Sequence, residues 1–502
     1  MAEDIDLKVG VSGVRGVVGH GLTAQVAGAF AGAFAQRCPG NTVALGRDTR
    51  VSGPMLRSAV LAALVRAGKR VVDMGILPVP SMQTAIRLTD DLAGGVYISA
   101  SHNPADQNGL KFYRPDGIIL YPQQAEALIS SWRQGDVPAV EVPGSLETYD
   151  GAITRHIERV ASLVDCDLIK EAKLSVVMDC NNGAGCLCSR QFLVRLGVAR
   201  VAMLNEDPTG DFAHKPEPVP EHMEQLARAV GRLGYHIGFA QDPDADRVAV
   251  SGCVQRGDAV VGEAFSDEYT LGLGAASVAA QARERGHVIS MACNLSTSRM
   301  IEEVAHDHKF PFRRTPVGEV NVVEGLQALE RQWRAEHPAD DDHFCFGGEG
   351  CGGIIDPRNQ YCRDSLNSMG LIIQGLAQWK LGRIFADSPR PDDERLLLDW
   401  WRKAALRPCA IVKKKLELDS VDDQSRVMQA MREQLPAAVP APENVRTDDG
   451  MRVKYRDRSW IHVRCSNTEP AIRFIAEHDS VEQSGVMVDE AMSLAQHALS
   501  KG

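Results

Sequence analysis

The chain has 502 residues, which at about 150 residues per domain is enough for roughly three or four domains. Its 55 basic and 66 acidic residues give a net charge of −11, so the protein as a whole repels the phosphates of nucleic acids and anionic membranes. The sequence has no run of about 18 uncharged apolar residues that would span a membrane, and its acidic start is unlike a signal peptide. We therefore expect a cytoplasmic protein with no nucleic-acid partner and no membrane partner.

The 12 cysteines are scattered and include no Cys-x-x-Cys pair. The closest two, Cys186 and Cys188, are too near each other in sequence for the usual zinc knuckle. We therefore expect free thiols in a reducing compartment, without disulfides or a zinc site.

From residue 42 onward, short apolar runs alternate with helical segments. Strands are predicted at 42–45 and 70–72 on either side of an amphipathic helix at 55–67, and residues 95–99 form a further apolar run. The cycle returns with a strand at 174–178, a helix at 186–196 and strands at 201–204, 236–240, 248–250 and 288–291. This alternation predicts α/β layers with mostly parallel or mixed sheets, in about three similar units.

Two polar segments interrupt the pattern. Residues 336–342 predict an exposed acidic loop, and residues 386–393, with two prolines among charged residues, predict a linker between domains. A smaller α+β unit is predicted after the linker. Its elements are helices near 394–403, 421–434 and 481–499, a strand near 410–414, a turn at 448–450 and two strands that flank residue 467.

A small-residue loop with the sequence Ser-Ala-Ser-His-Asn-Pro begins at Ser99, where the apolar run ends. Small residues let the backbone approach a ligand closely, so Ser101 is a candidate nucleophile or phosphate carrier. His102 is placed to hold the phosphate, and Lys111 is a candidate proton shuttle or phosphate ligand. The alternative interpretation is an ordinary turn rich in Ser and Asn.

A second loop, Asp-Pro-Asp-Ala-Asp-Arg, follows the strand predicted at 236–240. Its alternating carboxylates, Asp242, Asp244 and Asp246, can converge on one hard cation, and Mg²⁺ prefers oxygen ligands of this kind. Arg247 would offset charge or bind a phosphate. The alternative interpretation is a solvated acidic loop.

Two further loops carry groups suited to a sugar phosphate. Residues 464–473 combine two arginines, hydroxyl groups and a run of backbone N–H groups, which together form a nest for a dianionic phosphate. The glycine-rich segment 346–353 offers one carboxylate, Glu349, that can accept hydrogen bonds from sugar hydroxyls. A polar hairpin and a bare glycine turn are the respective alternatives.

Arginines also lie beside glycines near the start of the chain. Arg15, within Ser-Gly-Val-Arg-Gly, can reach a phosphate on the nucleophile. We interpret Arg47 and Arg50, together with Asp48, as structural support for the same site.

Together, and in this order, these loops resemble those of the α-D-phosphohexomutase superfamily, the phosphoglucomutase/phosphomannomutase group. The resemblance covers nearly the whole chain. It implies four domains around a central cleft: three related α/β units with mixed sheets, and a smaller C-terminal α+β domain. The implied domains are 1–155 with the phosphoserine loop, 156–260 with the metal loop, 261–386 with the sugar-recognition loop and 394–502 with the phosphate-binding loop.

The resemblance also implies roles for individual residues. The residues implied for catalysis are Ser101, His102, Lys111, Arg15 and Arg247. The implied ligands of Mg²⁺ are Ser101, through its phosphate, Asp242, Asp244 and Asp246. The residues implied to bind substrate are Thr315, Gly318, Glu349, Cys351, Arg464, Ser466, Asn467, Thr468 and Arg473.

The implied activity is that of an isomerase that moves a phosphoryl group between the 1 and 6 positions of a hexose phosphate. The reaction would pass through a phosphoserine enzyme and a hexose bisphosphate, in a monomer or homodimer. Three alternatives stay open: a phosphoglucosamine mutase, a phosphatase with Asp242 as its nucleophile, and a non-catalytic homologue that binds sugar phosphates.

The sequence departs from the family pattern at three places. The sugar loop usually reads Glu-x-Ser-Gly-His, but Cys351 and Gly353 replace the serine and the histidine here. Pro243 stands where glycine is usual, without removing a metal ligand. The segment 314–321 resembles the family's specificity loop but does not match one subgroup. The sugar is therefore left open between glucose, mannose and glucosamine.

Overall fold

The computed structural model describes residues 7–135, 140–435, 442–466 and 470–500. A seven-stranded mixed sheet forms the first unit. Its strands are β1 Leu7–Gly10, β2 Gly13–Val17, β3 Thr42–Arg47, β4 Arg70–Ile76, β5 Leu92–Ile98, β6 Gln107–Tyr113 and β7 Leu146–Thr148, and its helices are α1 Ala24–Arg37, α2 Gly53–Arg66, α3 Val79–Arg87 and α4 Pro122–Gln134. The strand order is β1-β2-β6-β5-β3-β4-β7, with β3 parallel to β4 and β5, and β6 antiparallel to β2 and β5.

The second unit has a five-stranded mixed sheet. Its strands are β8 Ser175–Asp179, β9 Arg200–Leu204, β10 Ile237–Gln241, β11 Val248–Arg256 and β12 Ala259–Ala264. The order is β12-β11-β10-β8-β9, in which β8 lies parallel to both of its neighbours. The helices of this part of the chain are α5 Ala152–Ala161, α6 Cys166–Ala172, α7 Ser189–Arg195 and α8 Glu224–Leu233, with short 3-10 helices at Ala184–Leu187 and Pro220–His222.

The third unit repeats this plan. Its strands are β13 Ile289–Asn294, β14 Phe312–Thr315, β15 Phe344–Glu349, β16 Gly353–Asp356 and β17 Gln360–Arg363, and its helices are α9 Glu268–Arg285, α10 Met300–Asp307, α11 Glu319–Glu336 and α12 Ser365–Lys380. The order is β14-β13-β15-β16-β17, with β13 parallel to both neighbours and the last two pairings antiparallel.

The fourth unit has a five-stranded sheet whose described pairings are all antiparallel. From one edge to the other, the strands stand in the chain positions 18, 22, 21, 20 and 19. The strands are β18 Ala410–Glu417, β19 Asn444–Arg446, β20 Met451–Lys454, β21 Trp460–Cys465 and β22 Ala471–His478. The helices are α13 Leu397–Ala405, preceded by a 3-10 turn at Glu394–Leu396, α14 Val421–Gln434 and α15 Val481–Ser500. Three mixed α/β sheets and a smaller α+β unit are the predicted fold class, which is confirmed.

One apolar core joins the second and third units. Phe239 of β10, Phe346 of β15 and Trp379 of α12 all belong to this single buried cluster. Helix α13 also packs there, because the fully buried side chains of Leu398 and Trp401 contact it. The predicted smaller domain included this helix; the structure instead packs it on the middle of the molecule.

The strand ends position the loops that carry chemistry. Each of the four predicted loops follows the carboxyl end of a strand: β5, β10, β15 and β21. Ligands of α/β sheets bind at this edge, because the loops and helix N-termini of neighbouring strands meet there. None of the helices described is both long enough and apolar enough to cross a membrane.

Candidate active site

Ser101 lies in the loop after β5 with its backbone in the left-handed region, at φ 52°. An ordinary L-residue adopts this conformation only when its surroundings hold it there. The hydroxyl of Ser99 accepts from the Ser101 N–H (2.8 Å) and donates to Asp48 Oδ2 (2.6 Å). The Ser101 side chain therefore points to one place, where its Oγ is 3.0 Å from Asp242 Oδ2 of the second unit.

Arg50 supports this loop from below. It is fully buried and pairs with the equally buried Asp48 (3.1 Å). Its guanidinium donates hydrogen bonds of 2.6–2.8 Å to the carbonyls of Ser101, Asn103, Pro104 and Gln107. These contacts are those of a structural support, as predicted. Arg47 contributes less: its guanidinium donates to the Asp48 carbonyl (3.0 Å).

The three aspartates predicted to bind metal converge in the loop after β10. Asp242, Asp244 and Asp246 are buried, and one carboxylate oxygen from each lies within 4.8 Å of the others. Within the described ranges, the buried Oδ1 atoms of Asp244 and Asp246 have no hydrogen-bond partner. Burial, and then the charges of the other two, raise the pKa of Asp242 well above its ordinary value. Three close carboxylates, two of which keep a buried oxygen without a hydrogen-bond partner, fit a hard divalent cation.

Backbone contacts with the neighbouring units fix this loop. The Asp244 carbonyl accepts from the Val79 N–H of the first unit (2.9 Å), and the Ala245 carbonyl accepts from Ser365 Oγ of the third (2.6 Å). Ala245 itself has φ 54°, which makes the sharp turn between the second and third aspartates. Three units therefore hold one loop.

Cations surround the aspartates. Lys111 Nζ lies 2.6 Å from Asp244 Oδ2 and 3.7 Å from Asp246 Oδ2. Burial works against the Lys111 charge, but Asp244 and Asp246 outweigh it and raise the pKa of Lys111. Arg363 Nη2 lies 2.9 Å from Asp246 Oδ2. Burial opposes ionisation of Asp246, yet Arg363 and Lys111 lower its pKa. Arg247 Nε adds a longer contact to Asp246 Oδ1 (3.7 Å).

His102 and Arg15 share this cationic environment. His102 Nδ1 lies 3.4 Å from Ser101 Oγ. Burial, reinforced by Arg247 and Arg15, lowers the pKa of His102 well below its ordinary value, so the ring is uncharged at neutral pH. Burial also lowers the pKa of Arg15, with Asp244 acting in the opposite direction. The site thus gathers all five residues predicted for catalysis.

The sugar-loop carboxylate is held by three donors. Glu349 Oε1 accepts from Asn294 Nδ2 (2.8 Å) and from the Gly318 N–H (3.2 Å), and Oε2 accepts from Arg363 Nη1 (2.9 Å). Cys351 Sγ lies 3.6 Å from the same Arg363 nitrogen. Burial raises the pKa of this thiol to about 11, so it stays protonated. Glu349 and Cys351 are therefore connected to the aspartates through Arg363.

The phosphate loop approaches from the fourth unit. Arg464 Nε donates to Asp449 Oδ1 (3.3 Å), and Asp449 Oδ2 accepts from the Val317 N–H of the third unit (2.8 Å). Arg473 lies opposite Arg464 in the register of the neighbouring strands β21 and β22. Ser466, which directly follows β21, is buried. Asn467 and Thr468 lie outside the described residues. Thr315, buried at the end of β14, donates to the Pro316 carbonyl (3.1 Å).

Arg363 is the main residue that the sequence interpretation missed. Besides Asp246 and Glu349 it pairs with Glu319 Oε2 (2.9 Å), so one guanidinium joins three acidic groups. Asn294, which orients Glu349, was also missed. Arg363 and Asn294 are each the last residue of a strand, and the predicted loops also begin at strand ends. A polar residue at this position was therefore a usable sign of a site residue.

Comparison with known proteins now identifies the family. Family models described as phosphoglucomutase/phosphomannomutase alpha/beta/alpha domains I, II and III match residues 6–137, 154–253 and 266–389, and the model of the C-terminal domain matches residues 415–493. The chain belongs to this family. Its members are mutases, which are isomerases, and the predicted enzyme class is confirmed.

Relatives of this phosphoglucomutase/phosphomannomutase family member span its full length. The chain is 31% identical to a probable phosphoglucosamine mutase of Methanopyrus kandleri, over 98% of both chains. It is 30% identical to a phosphoglucomutase/phosphomannomutase of Thermococcus kodakarensis, again over 98% of both. The fold matches a crystal structure of a family protein from Burkholderia thailandensis with a TM-score of 0.76 at 24% identity, over 99% of this chain and 97% of the other.

Proposed function

We propose that this protein is a phosphohexose mutase that moves a phosphoryl group between the 1 and 6 positions of a hexose phosphate. The observation that carries the proposal is the 3.0 Å contact between Ser101 Oγ and Asp242, inside a buried triad of aspartates. An isolated serine turn or a solvated acidic loop would not bring a strained, buried hydroxyl to this point. Ser101 is 1% exposed, which protects a phosphoserine from water.

The triad is the proposed site of Mg²⁺, together with an oxygen of the Ser101 phosphate. The ion would neutralise charge on the phosphoryl group as it is transferred. The side chains of Arg15, Lys111 and Arg247 add positive charge around the same group, and these buried cations act strongly because little water screens them.

In the proposed reaction, the bond between phosphorus and Ser101 Oγ breaks while a bond to a sugar hydroxyl forms. The neutral ring of His102, 3.4 Å from Ser101 Oγ, is the proposed group that takes the hydroxyl proton and returns one to the serine. Lys111 stays charged beside Asp244 and holds the phosphate. The sugar then carries two phosphates, turns over in the cleft and gives the other phosphate back to Ser101.

Binding in both orientations requires one end of the cleft to grip any phosphate. Arg464, Ser466, Asn467, Thr468 and Arg473 are the proposed phosphate clamp. Glu349, with Cys351, Thr315 and Gly318 nearby, is the proposed contact for sugar hydroxyls. The segment predicted as a linker, 386–393, precedes helix α13, which packs on the core of the second and third units. The proposed hinge for the fourth unit is therefore the connection between α13 and β18, residues 406–409.

The substrate proposal has a second candidate. Several relatives about 30% identical over nearly the whole chain are named probable phosphoglucosamine mutases, which favours glucosamine phosphate beside glucose and mannose phosphates. Steady-state turnover on the three 1-phosphates decides between them. Binding without turnover on any of the three would instead support the non-catalytic homologue.

The mechanism is tested by intact-mass measurement of the purified protein, followed by peptide mapping. We expect one phosphate on Ser101, and its exchange when hexose 1,6-bisphosphate is added. A label on Asp242 that hydroxylamine removes would identify an aspartyl-phosphate and overturn the serine mechanism in favour of the phosphatase.

A further inference from the structure

A cavity of about 210 Å³ lies between the third and fourth units, apart from the proposed active site. It is bounded by helix α10 on one side and by β20, β21 and the turn between them on the other. Trp460, which begins β21, lines the cavity, whereas Arg464 lies near the other end of that strand, beside the phosphate loop. The cavity and the phosphate loop therefore occupy opposite ends of one strand.

The cavity wall is strongly cationic. Its basic side chains are Arg299, Arg407, Arg452, Lys454 and Arg458. Two carboxylates oppose them, and both are engaged: Glu302 pairs with Arg314 (2.8 Å) and Lys454 (3.3 Å), and Glu303 with Arg458 (3.1 Å) and Arg299 (3.3 Å). Carboxylates outside the wall pair with the same cations: Asp479 with Arg299 and Arg458, Asp307 with Arg407, and Glu443 with Lys454. Among the described residues, Arg452 is the wall cation that has no carboxylate at ion-pairing distance.

Arg452 is the cation left unpaired. It is 5% exposed, and its Nε and Nη2 have no hydrogen-bond partner in the part of the chain that the structure describes. Its guanidinium carbon lies over the Trp460 ring, 4.5 Å from the ring centre, so the ring covers one side of the group. Burial, and then the nearby charge of Arg314, lower the pKa of Arg452 to about 9. Burying a charge that has no ion-pair partner raises the free energy of the folded state, so a bound anion would stabilise this guanidinium.

We propose that this cavity is a non-catalytic binding site for a small dianionic oxyanion of the phosphate class. Nε and Nη2 are the adjacent donors of the guanidinium fork, which matches two oxygens of such an ion. Lys454 and Arg458 line the same cavity and add positive charge beside Arg452, although each also pairs with a carboxylate. Arg299, which directly precedes α10, also lines the cavity, so an anion that contacts both Arg299 and Arg452 would link the third unit to the fourth.

The test uses sulfate on the full-length protein, because sulfate is dianionic and cannot be transferred to Ser101. Thermal unfolding is compared in sodium sulfate and in sodium chloride of equal ionic strength, for the wild type, Arg452→Gln and the control Arg456→Gln. Arg456 is an exposed arginine of the same turn that does not line the cavity. General effects of sulfate, and any sulfate at the phosphate loop, are common to all three proteins.

We expect sulfate to raise the Tm of the wild type and of Arg456→Gln by about 2 °C more than that of Arg452→Gln. In chloride, Arg452→Gln should be as stable as the wild type or more so, since it removes an unpaired buried charge. An equal sulfate effect in all three proteins overturns the proposal. So does a large loss of stability of Arg452→Gln in chloride, which would mark a purely structural arginine.

Location is tested separately with crystals grown without sulfate and soaked in selenate. An anomalous selenium peak within hydrogen-bonding distance of Arg452 is expected, and a peak confined to the phosphate loop contradicts the site. Repeating the thermal series with inorganic phosphate and with glycerol 3-phosphate separates a free ion from a phosphomonoester as the ligand. Neither outcome depends on mutase activity, so the proposed function and this site can fail independently.

Discussion

The Ser101 loop and the Arg464 loop, which would bind opposite ends of a sugar phosphate, are held by the fold in different ways. Ser101 is fixed by Ser99, by four carbonyl contacts from Arg50 to its loop, and by Asp242 from another unit. Arg464 reaches the third unit through one carboxylate, Asp449. Phosphoryl transfer needs reacting atoms placed to within a fraction of an ångström, whereas a phosphate clamp must open to let the sugar turn.

The largest effect on activity is expected at the Ser101 loop. Ser101→Ala removes the phosphate carrier and should lower kcat by about 10⁴-fold or more. The far-ultraviolet circular dichroism and Tm should stay near those of the wild type, because the contacts of the hydroxyl are those with Asp242 and His102, while Ser99 and Arg50 hold the loop backbone. Hexose 1-phosphate turnover measures the effect, with exposed Ser130→Ala as the control. Near-normal turnover of Ser101→Ala would refute the assigned role.

Arg50→Gln tests what holds that end rigid. The change leaves Asp48 buried without its cation and four loop carbonyls without their donor, so we expect a loss of about 3–5 kcal/mol in the free energy of unfolding. Urea denaturation measures it. Arg47→Gln, one position before Asp48, is the matched control and should cost less than about 1 kcal/mol. Equal losses in the two variants would show that Arg50 has no special part in supporting the loop.

Acid should act at the Arg464 end of the site. His462 bridges the units: Ser296 Oγ donates to its Nδ1 (2.9 Å) and its Nε2 donates to the Asp449 carbonyl (2.6 Å). Burial lowers the pKa of His462 to about 4. Between pH 6.5 and about 4 the unfolded chain therefore binds a proton that the folded chain does not, so stability falls as the pH falls, by about 3 kcal/mol in all.

Urea unfolding at pH 7, 5.5 and 4.5 measures this dependence. His462→Gln can keep a donor and an acceptor without titrating, so the difference between wild type and variant should shrink as the pH falls. A difference that does not change with pH would contradict the assignment.

The smallest effect is expected at Asp449, the carboxylate that connects Arg464 to the third unit. Asp449→Asn replaces one of the two carboxylate oxygens that bind Arg464 and Val317, and should raise KM about tenfold, equivalent to about 1.4 kcal/mol. Fold and kcat should change little. Asp448→Asn, which alters the exposed neighbouring pair with Arg446, is the control. A similar change in KM for both variants would remove Asp449 from the docking role.

Local patterns predicted most of the elements, because the apolar periodicity of strands such as β3 and β8 is set by burial alone. Helix α13 was placed in the smaller C-terminal unit, whereas its buried face packs against the core of the second and third units. Its amphipathic pattern shows that it has a buried face but not what covers that face. Arg363 escaped notice for a similar reason. Its three carboxylate partners come from positions 246, 319 and 349, and only the tertiary fold brings them together.

The common core of the second and third units limits how the chain can be re-engineered. Phe239 and Phe346 lie on different sheets, yet no solvent layer separates their packing from that of Trp379 and Trp401. In a chimera that exchanged only one of these units with a relative, the apolar side chains of one unit would have to pack against those of a different protein. Recombination among such enzymes should therefore succeed when the second and third units are exchanged together, with residues 397–405 included.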